Sequence, residues 1–344
     1  MRIAVIGGGL FGSTAAIYAA RAGHDVHLFE AQPSIMLGAT AGTYARLHRG
    51  YHYPRSPDTG RESRRAEASF RDEYGFAVVD GGQQFYIVPP DSPVSGEQFR
   101  WFLDNEDLQF TEDRHVFNVR EPRVNLGLLS ALVRLKVISA NVKVHLGERA
   151  PKGLRQEFDR IVVATYSNLN ETLWELGHLP AEYRFQVVER PIVHLPNRFR
   201  ATSVVVVDGP FGCLDPLDDT PLHMLGHVVH TVHAQNTGVR PEIPAEFAPL
   251  IDQGIISSPP VTNFRKVVDD LAKYIPGISE AVHIGSSFVV RAVLAHKEST
   301  DARPTIVTKH GDQVISVLSG KLGTACRAAQ EIVDVIENKK ALAA

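Results

Sequence analysis

The hydrophobic and polar positions at the amino terminus predict four consecutive elements. The run RIAVIG is continuously apolar, which is typical of a parallel strand buried on both faces. STAAIYAARAG consists mainly of small and apolar residues and closes on Gly23, which favours a helix, and DVHLFE returns to a strand pattern. The chain is therefore predicted to begin with a strand, a glycine turn, a helix and a second strand.

The turn and the end of the second strand carry candidate chemistry. Gly7, Gly9 and Gly12 have G-x-G-x-x-G spacing, and Glu30 follows Gly12 by 18 residues. The first glycine permits a tight turn, the second lets the backbone approach a pyrophosphate, and the third lets helix and strand pack closely. The helix amino terminus faces the phosphates, and Glu30 can accept a hydrogen bond from a ribose hydroxyl. The unit predicts dinucleotide binding; the alternative is a glycine-rich turn in another parallel sheet.

A long polar stretch follows Glu30 and indicates which dinucleotide is bound. No apolar strand appears before FAVVDGGQQFYIV, whereas a nicotinamide-type domain normally reaches its third strand within a few tens of residues. The excursion favours an extended FAD over NAD.

The carboxyl-terminal pattern gives a second indication of a flavin. DQVISVLSG alternates like a strand, and KLGTACRAAQEIVDVIE predicts a helix that begins near Lys321, between Gly320 and Gly323. A helix amino terminus carries partial positive charge, which would stabilise the negative charge of a reduced flavin at its pyrimidine end. The alternative is an ordinary terminal helix packed on the sheet.

Composition narrows the class of protein. The chain has 344 residues, enough for about two domains, and 36 basic against 39 acidic residues give a net charge of -3. This balance argues against general attachment to nucleic acid or anionic membrane. Cys213 and Cys326 are too far apart in sequence for a disulfide framework or a metal-ligand spacing, so a reducing, cytoplasmic location is expected. No apolar run approaches the ~20 residues of a membrane span.

Four stretches together resemble the FAD-dependent oxidoreductases of the D-amino acid oxidase superfamily, which share the glutathione-reductase-type FAD domain. They are GGGLFGSTAAIYAARAGHDVHLFE, GATAGTYARLHRGYHYP, FDRIVVATYSNLN and VISVLSGKLGTACRAA. The SGKLGTA form has some likeness to the L-2-hydroxyglutarate oxidase branch. The resemblance implies an α/β protein whose Rossmann-like FAD-binding domain holds an inserted α+β substrate domain built on an antiparallel sheet. The implied FAD-binding segments are 1–75, 126–180 and 285–344, and the implied substrate-domain segments are 76–125 and 181–284.

The same resemblance implies where FAD lies. GTYARLHRGYHY would cross the flavin ring, and His48 would either pack and hydrogen-bond there or tether the flavin covalently. The expected cofactor residues are Gly7, Gly9, Gly12, Glu30, Arg46, Leu47, His48, Ala164, Gly320, Lys321, Leu322, Gly323 and Thr324.

Substrate residues are expected around the flavin. Arg291 lies where many family members have an arginine that grips a substrate carboxylate, and the alternative is a surface salt bridge. Tyr86, Arg49 and Tyr53 are further candidates for the substrate pocket, Tyr86 with the alternative of a core aromatic.

The histidines of PLHMLGHVVHTVHA raise the question of a metal site. On one continuous strand, His223, His227 and His233 would share a face and His230 would point away. The set would span roughly 30 Å at ~3.3 Å per residue, too wide for one ion. No metal is therefore expected, and the alternative functional role is that one of these histidines lines the substrate pocket.

The predicted activity is that of an FAD-dependent oxidase or dehydrogenase. It would take hydride from a C–H next to an amine or hydroxyl of a small, anionic substrate of the amino acid or 2-hydroxy acid type, with oxygen or another electron acceptor. For an alcohol, His48 or His52 is the expected base; an amine bound in its neutral form needs none. The alternatives are a non-redox flavoenzyme such as a mutase, and a NAD(P)-dependent dehydrogenase.

Overall fold

The computed structural model describes residues 1–296 and 303–339. The strands are β1 (Arg2–Ile6), β2 (Asp25–Glu30), β3 (Val78–Val79), β4 (Gln83–Ile87), β5 (Phe110–Asp113), β6 (Val116–Val119), β7 (Arg123–Val124), β8 (Lys143–Leu146), β9 (Arg160–Val163), β10 (Tyr183–His194), β11 (Thr202–Val206), β12 (Gly212–Pro216), β13 (Leu222–His227), β14 (Val232–Gly238), β15 (Val282–Leu294), β16 (Ile306–His310) and β17 (Val314–Leu318). The α-helices are α1 (Leu10–Arg21), α2 (Pro57–Tyr74), α3 (Gly96–Asn105), α4 (Leu126–Ser139), α5 (Leu154–Glu157), α6 (Leu169–Glu175), α7 (Phe264–Leu271) and α8 (Ala325–Ile336).

The first sheet has the strand order β16, β17, β9, β1, β2, β8. Its pairings are parallel except for the antiparallel pair of β16 and β17. β1 is central because its side chains are apolar on both faces: Ile3 and Val5 join the core under α1, α4 and α8, while Ala4 and Ile6 join the core under α5 and α6. The predicted strand, turn, helix and strand at the amino terminus are confirmed.

The second sheet has nine strands and is mainly antiparallel. Its order is β14, β10, β13, β12, β11, β4, β6, β5, and β15 pairs with the other edge of β10. β10 and β15 pair over almost their whole lengths, from Tyr183 opposite Leu294 to His194 opposite Val282. A separate core, with α7 packed over it, covers one face of this sheet.

The predicted α/β class, with a Rossmann-like unit and a second, antiparallel sheet, is confirmed. The predicted domain boundaries stay a prediction, and 297–302 and 340–344 of the predicted segment 285–344 lie outside the described residues. Among the helices of the described residues, none is both long and apolar enough to cross a membrane.

The histidine-rich segment differs from the single strand expected there. β13 ends at His227, and a turn leads to β14, which begins at Val232. The turn is stabilised locally because the Nδ1 atom of His227 accepts hydrogen bonds from the backbone N–H groups of Val229 and His230, both at 3.1 Å. The rings of His227 and His230 therefore stack with their centroids 4.3 Å apart. The expectation that these two side chains point in opposite directions is wrong.

Candidate functional site

The glycine turn between β1 and α1 leaves no room for side chains. Gly7 has a φ of +102°, and a Cβ there would meet the Ala164 carbonyl oxygen at 2.5 Å. A Cβ on Gly12 would meet the Gly7 carbonyl oxygen at 1.8 Å. Gly9 forms the N-cap of α1 without a side chain, so the helix amino terminus presents bare backbone. This cradle suits a phosphate group.

Glu30 closes the same end of the site. Its Oε2 atom accepts a hydrogen bond from the backbone N–H of Gly8 at 2.6 Å, and its Oε1 atom accepts one from Gln32 at 2.8 Å. Each carboxylate oxygen has a second lone pair, so the fixed carboxylate can still accept from the hydroxyls of a ribose. The role of Glu30 as an acceptor for a ribose hydroxyl stays a prediction.

A cavity of about 880 Å³ connects this turn with the loop that precedes α8. The predicted site residues that line it are Gly7, Gly9, Glu30, Ala164, Arg291, Gly320, Lys321 and Leu322. The other predicted residues, which are not in its lining, are Gly12, Arg46, Leu47, His48, Arg49, His52, Tyr53, Tyr86, Gly323 and Thr324. The bare turn, the fixed carboxylate of Glu30 and the size of the cavity fit a dinucleotide such as FAD.

Comparison with known proteins identifies the family. Residues 2–115, which contain the glycine turn and Glu30, match the family described as FAD dependent oxidoreductase. The fold is similar to that of glycine oxidase from Geobacillus kaustophilus, with a TM-score of 0.72 and 14% identity over 98% of this chain and 95% of that one. It is also similar to L-proline dehydrogenase from P. horikoshii, with a TM-score of 0.71 and 13% identity over 99% and 94% of the two chains. The predicted resemblance to the D-amino acid oxidase superfamily is confirmed by the family match over residues 2–115, and the fold of these solved structures agrees with it.

This protein is thus an FAD-dependent oxidoreductase, and the predictions of family, enzyme class and cofactor are confirmed. A curated relative is the FAD-dependent monooxygenase kojA of Aspergillus flavus. The two sequences are 26% identical in an alignment that covers 98% of this chain and 86% of the relative. The finer likeness to the L-2-hydroxyglutarate oxidase branch stays a prediction.

Lys321 lies in the loop between β17 and α8, and its side chain carries the amine of this part of the site. Its Nζ atom lies 4.5 Å from the centroid of the Tyr53 ring. Burial, together with the nearby charge of Arg46, lowers the pKa of Lys321 to about 7. Gly323 lies beside it, and a Cβ there would lie 2.7 Å from Leu47 Cδ1, so a side chain at this position would have to displace Leu47. Thr324 fixes the loop by donating its hydroxyl to the Lys321 carbonyl oxygen at 2.7 Å.

Arg46 is held in the wall behind this loop. Its Nε and Nη2 atoms donate to the two carboxylate oxygens of Asp215 at 2.7 and 2.6 Å, and both side chains are buried. Such a bidentate pair fixes the plane of the guanidinium. Arg46 therefore contributes a fixed positive charge near Lys321 rather than a mobile ligand.

Glu121 organises the predicted histidine and tyrosine candidates, a role that sequence reasoning missed. Its Oε1 atom lies 3.2 Å from His48 Nδ1 and accepts from the Arg49 backbone N–H at 2.9 Å. Its Oε2 atom accepts from the hydroxyl of Tyr86 at 2.9 Å. The signal was weak because Glu121 is separated from His48 by 73 residues and belongs to no recognisable motif.

His52 and Tyr53 lie next to this network with unused polar atoms. His52 Nδ1 and the Tyr53 hydroxyl are buried and have no hydrogen-bond partner among the described residues. The two rings lie 5.4 Å apart, and the rings of His48 and His52 lie 5.6 Å apart. Burial lowers the pKa of His52 well below its usual value, and the charge of His48 acts in the same direction. Burial also lowers the pKa of His48, although Glu121 opposes this.

Arg49 and Arg291 lie in different places. Arg49 makes a bidentate ion pair with Glu67, at 2.6 Å for both hydrogen bonds, away from the cavity. Arg291 lines the cavity, where its Nε and Nη2 atoms donate to the Gln186 side-chain oxygen, the first at 2.9 Å. Burial and the neighbouring Arg303 lower the pKa of Arg291 to about 10.

Arg190 is a further cavity residue that sequence reasoning missed. It lies on β10, lines the cavity, and is only 8% exposed. Its Nε and Nη1 atoms have no hydrogen-bond partner among the described residues. The available signal was the charged pair Glu189 and Arg190 in the middle of the otherwise apolar run FQVVERPIV.

His227, His230 and Asp270 form a cluster whose candidate ligand atoms all lie within 4.8 Å of one another. His227 Nε2 lies 2.7 Å from Asp270 Oδ2, while His227 Nδ1 accepts two backbone hydrogen bonds. A metal on Nε2 would require the proton to move to Nδ1 and both backbone bonds to break. The geometry favours a hydrogen-bonded link between the turn and α7, and the absence of a metal stays a prediction.

Proposed function

We propose that this FAD-dependent oxidoreductase is an oxidase or dehydrogenase that takes hydride from a C–H next to an amine or hydroxyl of a small anionic substrate. The substrate class is an amino acid or a 2-hydroxy acid. The observation that carries the proposal is the cavity, whose lining includes both the dinucleotide turn and the side chains of Arg190, Arg291 and Lys321. The guanidinium groups of Arg190 and Arg291 are the lining groups that can attract an anionic ligand to the part of the cavity walled by the antiparallel sheet.

The proposed cofactor contacts follow from this arrangement. When bound, the flavin of FAD supplies the acceptor for the hydride. We propose that FAD touches the cavity-lining residues Gly7, Gly9, Glu30, Ala164, Gly320, Lys321 and Leu322. Gly12, Arg46, Leu47, His48, Gly323 and Thr324 stay proposed cofactor residues and lie behind that lining. Tyr53, Tyr86 and Arg49 stay proposed substrate residues, although the ion pair of Arg49 with Glu67 favours a structural role.

The chain also holds groups that can receive a proton. An alcohol substrate must lose its hydroxyl proton, and His48 and His52 are the proposed bases because lowered pKa values keep both neutral near pH 7. Lys321 lines the cavity directly and has a pKa of about 7, so it is the group of this cluster best placed to pass a proton inward. An amine that binds in its neutral form needs none of these groups.

The test is anaerobic mixing of the purified holoenzyme with a panel of amino acids and 2-hydroxy acids, following the visible absorption of oxidised flavin. Bleaching by at least one member is expected. A flavin that stays oxidised while a compound is converted would instead favour a mutase. If the substrate is an alcohol, His48→Asn combined with His52→Asn should slow bleaching strongly, because Lys321 then has no histidine to which it can pass the proton. Unchanged bleaching in that variant would favour an amine substrate.

A monooxygenase is the second candidate. It is favoured by the curated relative named FAD-dependent monooxygenase, whose match covers 98% of this chain. An enzyme of this class that draws its electrons from a reduced nicotinamide would be bleached by NADPH or NADH and not by the substrate alone. The same anaerobic experiment with each reductant therefore separates the two candidates.

The remaining proposals concern the electron acceptor and the location. Oxygen or another acceptor would reoxidise the enzyme, and oxygen consumption during turnover distinguishes the two. A cytoplasmic location is proposed because Cys213 and Cys326 are free thiols. Cell fractionation tests it.

A further inference from the structure

Glu121 is a carboxylate whose two oxygens are both engaged, and its side chain is fully buried. The Oε1 atom accepts a hydrogen bond from the Arg49 backbone N–H at 2.9 Å and lies 3.2 Å from His48 Nδ1, and the Oε2 atom accepts one from the Tyr86 hydroxyl at 2.9 Å. Burial acts to raise the pKa of Glu121, but His48, Arg46 and the donated hydrogen bonds together lower it. The carboxylate is therefore ionised near neutral pH.

The backbone fixes this carboxylate opposite the imidazole. The segment 45–49, which carries His48, lies antiparallel beside the segment 121–124, and backbone hydrogen bonds of 2.9 and 2.6 Å join the two. The side-chain amide of Gln84 also donates to the backbone carbonyl oxygen of Glu121. The approach of the carboxylate to the imidazole is therefore set by backbone pairing.

The contact with Glu121 determines which ring nitrogen of His48 carries the proton. An ionised carboxylate can only accept a hydrogen bond, so the Nδ1 atom beside it is the donor. In the neutral ring the lone pair then lies on Nε2. No described residue forms a hydrogen bond with that atom. His48 therefore presents a proton acceptor whose orientation is set through the other ring nitrogen.

Groups of both charges surround the ring of His48. The titratable and charged groups near it are Glu121, Tyr86, Lys321, Arg46 with its partner Asp215, His52 and Tyr53. Burial lowers the pKa of His48, the carboxylate of Glu121 raises it, and the two neighbouring cations lower it. Because Glu121 is the acid in contact with the ring, it is the group that stabilises an imidazolium formed there.

His52 lacks such a partner. Its Nδ1 atom is buried and has no hydrogen-bond partner among the described residues. Burial lowers the pKa of His52 well below its usual value. The groups that add to this effect can all carry positive charge: His48, Lys321, Arg46 and Arg303. None of them balances the charge of a protonated His52, so the two histidines are unequal as proton acceptors.

We propose that Glu121 is the positioning residue of the proton-transfer step, and that through it His48, rather than His52, becomes the acceptor of the substrate proton. This inference rests on the proposed function and narrows the substrate class to 2-hydroxy acids, because a neutral amine needs no base.

The step balances as follows in atoms and charge. The hydroxyl proton of the substrate passes to the neutral amine of Lys321, which returns to its neutral form by giving a proton to His48 Nε2. The substrate carbon gives its hydride, with the electron pair, to the flavin, so the 2-hydroxy acid becomes a 2-oxo acid. The imidazolium formed on His48 keeps its Nδ1–H directed at Glu121.

The first test needs no substrate. The holoenzyme, labelled with nitrogen-15 in histidine, is titrated with pH while NMR correlations report the state of each ring nitrogen, and His48→Asn identifies the signals of His48. Wild-type His48 should carry its proton on Nδ1. Glu121→Gln should abolish this preference and lower the pKa of His48, because a negative charge is removed. Tyr86→Phe should raise that pKa, because the carboxylate loses a competing donor.

The second test follows anaerobic flavin bleaching by the 2-hydroxy acid that reduces the wild-type enzyme. Glu121→Gln should slow bleaching by about tenfold to a hundredfold and shift its pH profile to lower pH, because the base is weaker. His48→Asn should slow bleaching more than His52→Asn does. Glu112→Gln is the matched control, because Glu112 also lies beside a histidine, His115 at 3.5 Å, but on the strand β5. Its bleaching rate should equal that of the wild-type enzyme.

Three results would overturn the inference: a wild-type His48 with its proton on Nε2, a bleaching rate that Glu121→Gln leaves unchanged, or bleaching by amino acids alone. If Glu121→Gln fails to fold, Tyr86→Phe decides, and an unchanged pKa of His48 in that variant would contradict the positioning role. A flavin that no compound of the panel reduces would contradict the proposed function, whereas the proton position on His48 tests Glu121 independently of turnover.

Discussion

Lys321 combines a functional position with a thermodynamic cost. The side chain lines the cavity, packs against the Tyr53 ring and lies near the pair of Arg46 and Asp215. Burial lowers its pKa from 10.5 to about 7, because removal from water destabilises the protonated amine in the folded protein. A residue retained at such a cost is a candidate for proton transfer or ligand contact.

This cost predicts how stability depends on pH. Since the folded-state pKa lies below the unfolded one, the penalty is fully present below about pH 7 and disappears as pH rises from about 7 towards 10.5. In protein freed of FAD, Lys321→Met should therefore raise the free energy of unfolding by about 2–5 kcal/mol near pH 6 and by much less near pH 10. Urea titrations at both pH values measure the difference. Lys143→Met, on the surface strand β8, is the control, and a gain for Lys321→Met that does not change with pH would contradict the prediction.

Glu121 shows why the individual residues of the site can be predicted only partly from the sequence. The family resemblance placed GTYARLHRGYHY across the flavin ring, and the structure brings His48, His52 and Tyr53 close to Lys321. The acid that organises them lies 73 residues from His48, and nothing in its local sequence encodes that approach. Arg190 was missed for the same reason, because only the pairing of β10 with β15 brings it to the cavity.

At the level of elements, the unit from β1 to β2 depends on close backbone contacts. The Gly7 carbonyl oxygen occupies the position that a Cβ on Gly12 would need. Ala164, which directly follows β9, contacts Gly7 and leaves no room for a Cβ there either. The turn, the start of α1 and the end of β9 therefore form one rigid cradle. Its shape depends on the absence of two side chains.

Gly12→Ala should deform this cradle. A Cβ only 1.8 Å from the Gly7 carbonyl oxygen forces the backbone to move, so the variant should lose FAD and unfold at a lower temperature. The flavin content of the purified protein and its thermal transition measure both effects. Gly75→Ala is the matched control because a Cβ there meets nothing within 4 Å. Wild-type flavin content in Gly12→Ala would show that the cradle does not hold the cofactor.

Elements with local periodicity were predictable, and elements defined by long-range pairing were not. The apolar run of β1 and the glycine turn carry their signals within a few residues, as do β17 and α8. The prediction of one continuous strand over 221–234 was wrong because the turn within it depends on the side chain of His227 rather than on Gly or Pro. The partnership of β10 with β15 joins residues about a hundred positions apart, which no local pattern specifies.

In the molecule as a whole, the cavity lies between the two sheets. Ile6, from the first sheet, and Arg190 and Arg291, from the second, line it together. The parallel sheet supplies the turn for the dinucleotide, and the antiparallel sheet supplies cationic side chains. The two sheets expected from the family resemblance, one Rossmann-like and one antiparallel, thus both contribute to the cavity. The exact domain boundaries stay a prediction.

The central claim is that a substrate C–H gives up hydride inside this cavity. The most direct measurement is anaerobic mixing of the holoenzyme with its best carboxylate substrate, unlabelled and with deuterium on the carbon that bears the amine or hydroxyl. The account predicts that the flavin bleaches, that it bleaches more slowly with the labelled substrate, and that the imino or oxo acid product has lost the deuterium. A flavin that stays oxidised while a converted product retains its deuterium would contradict it.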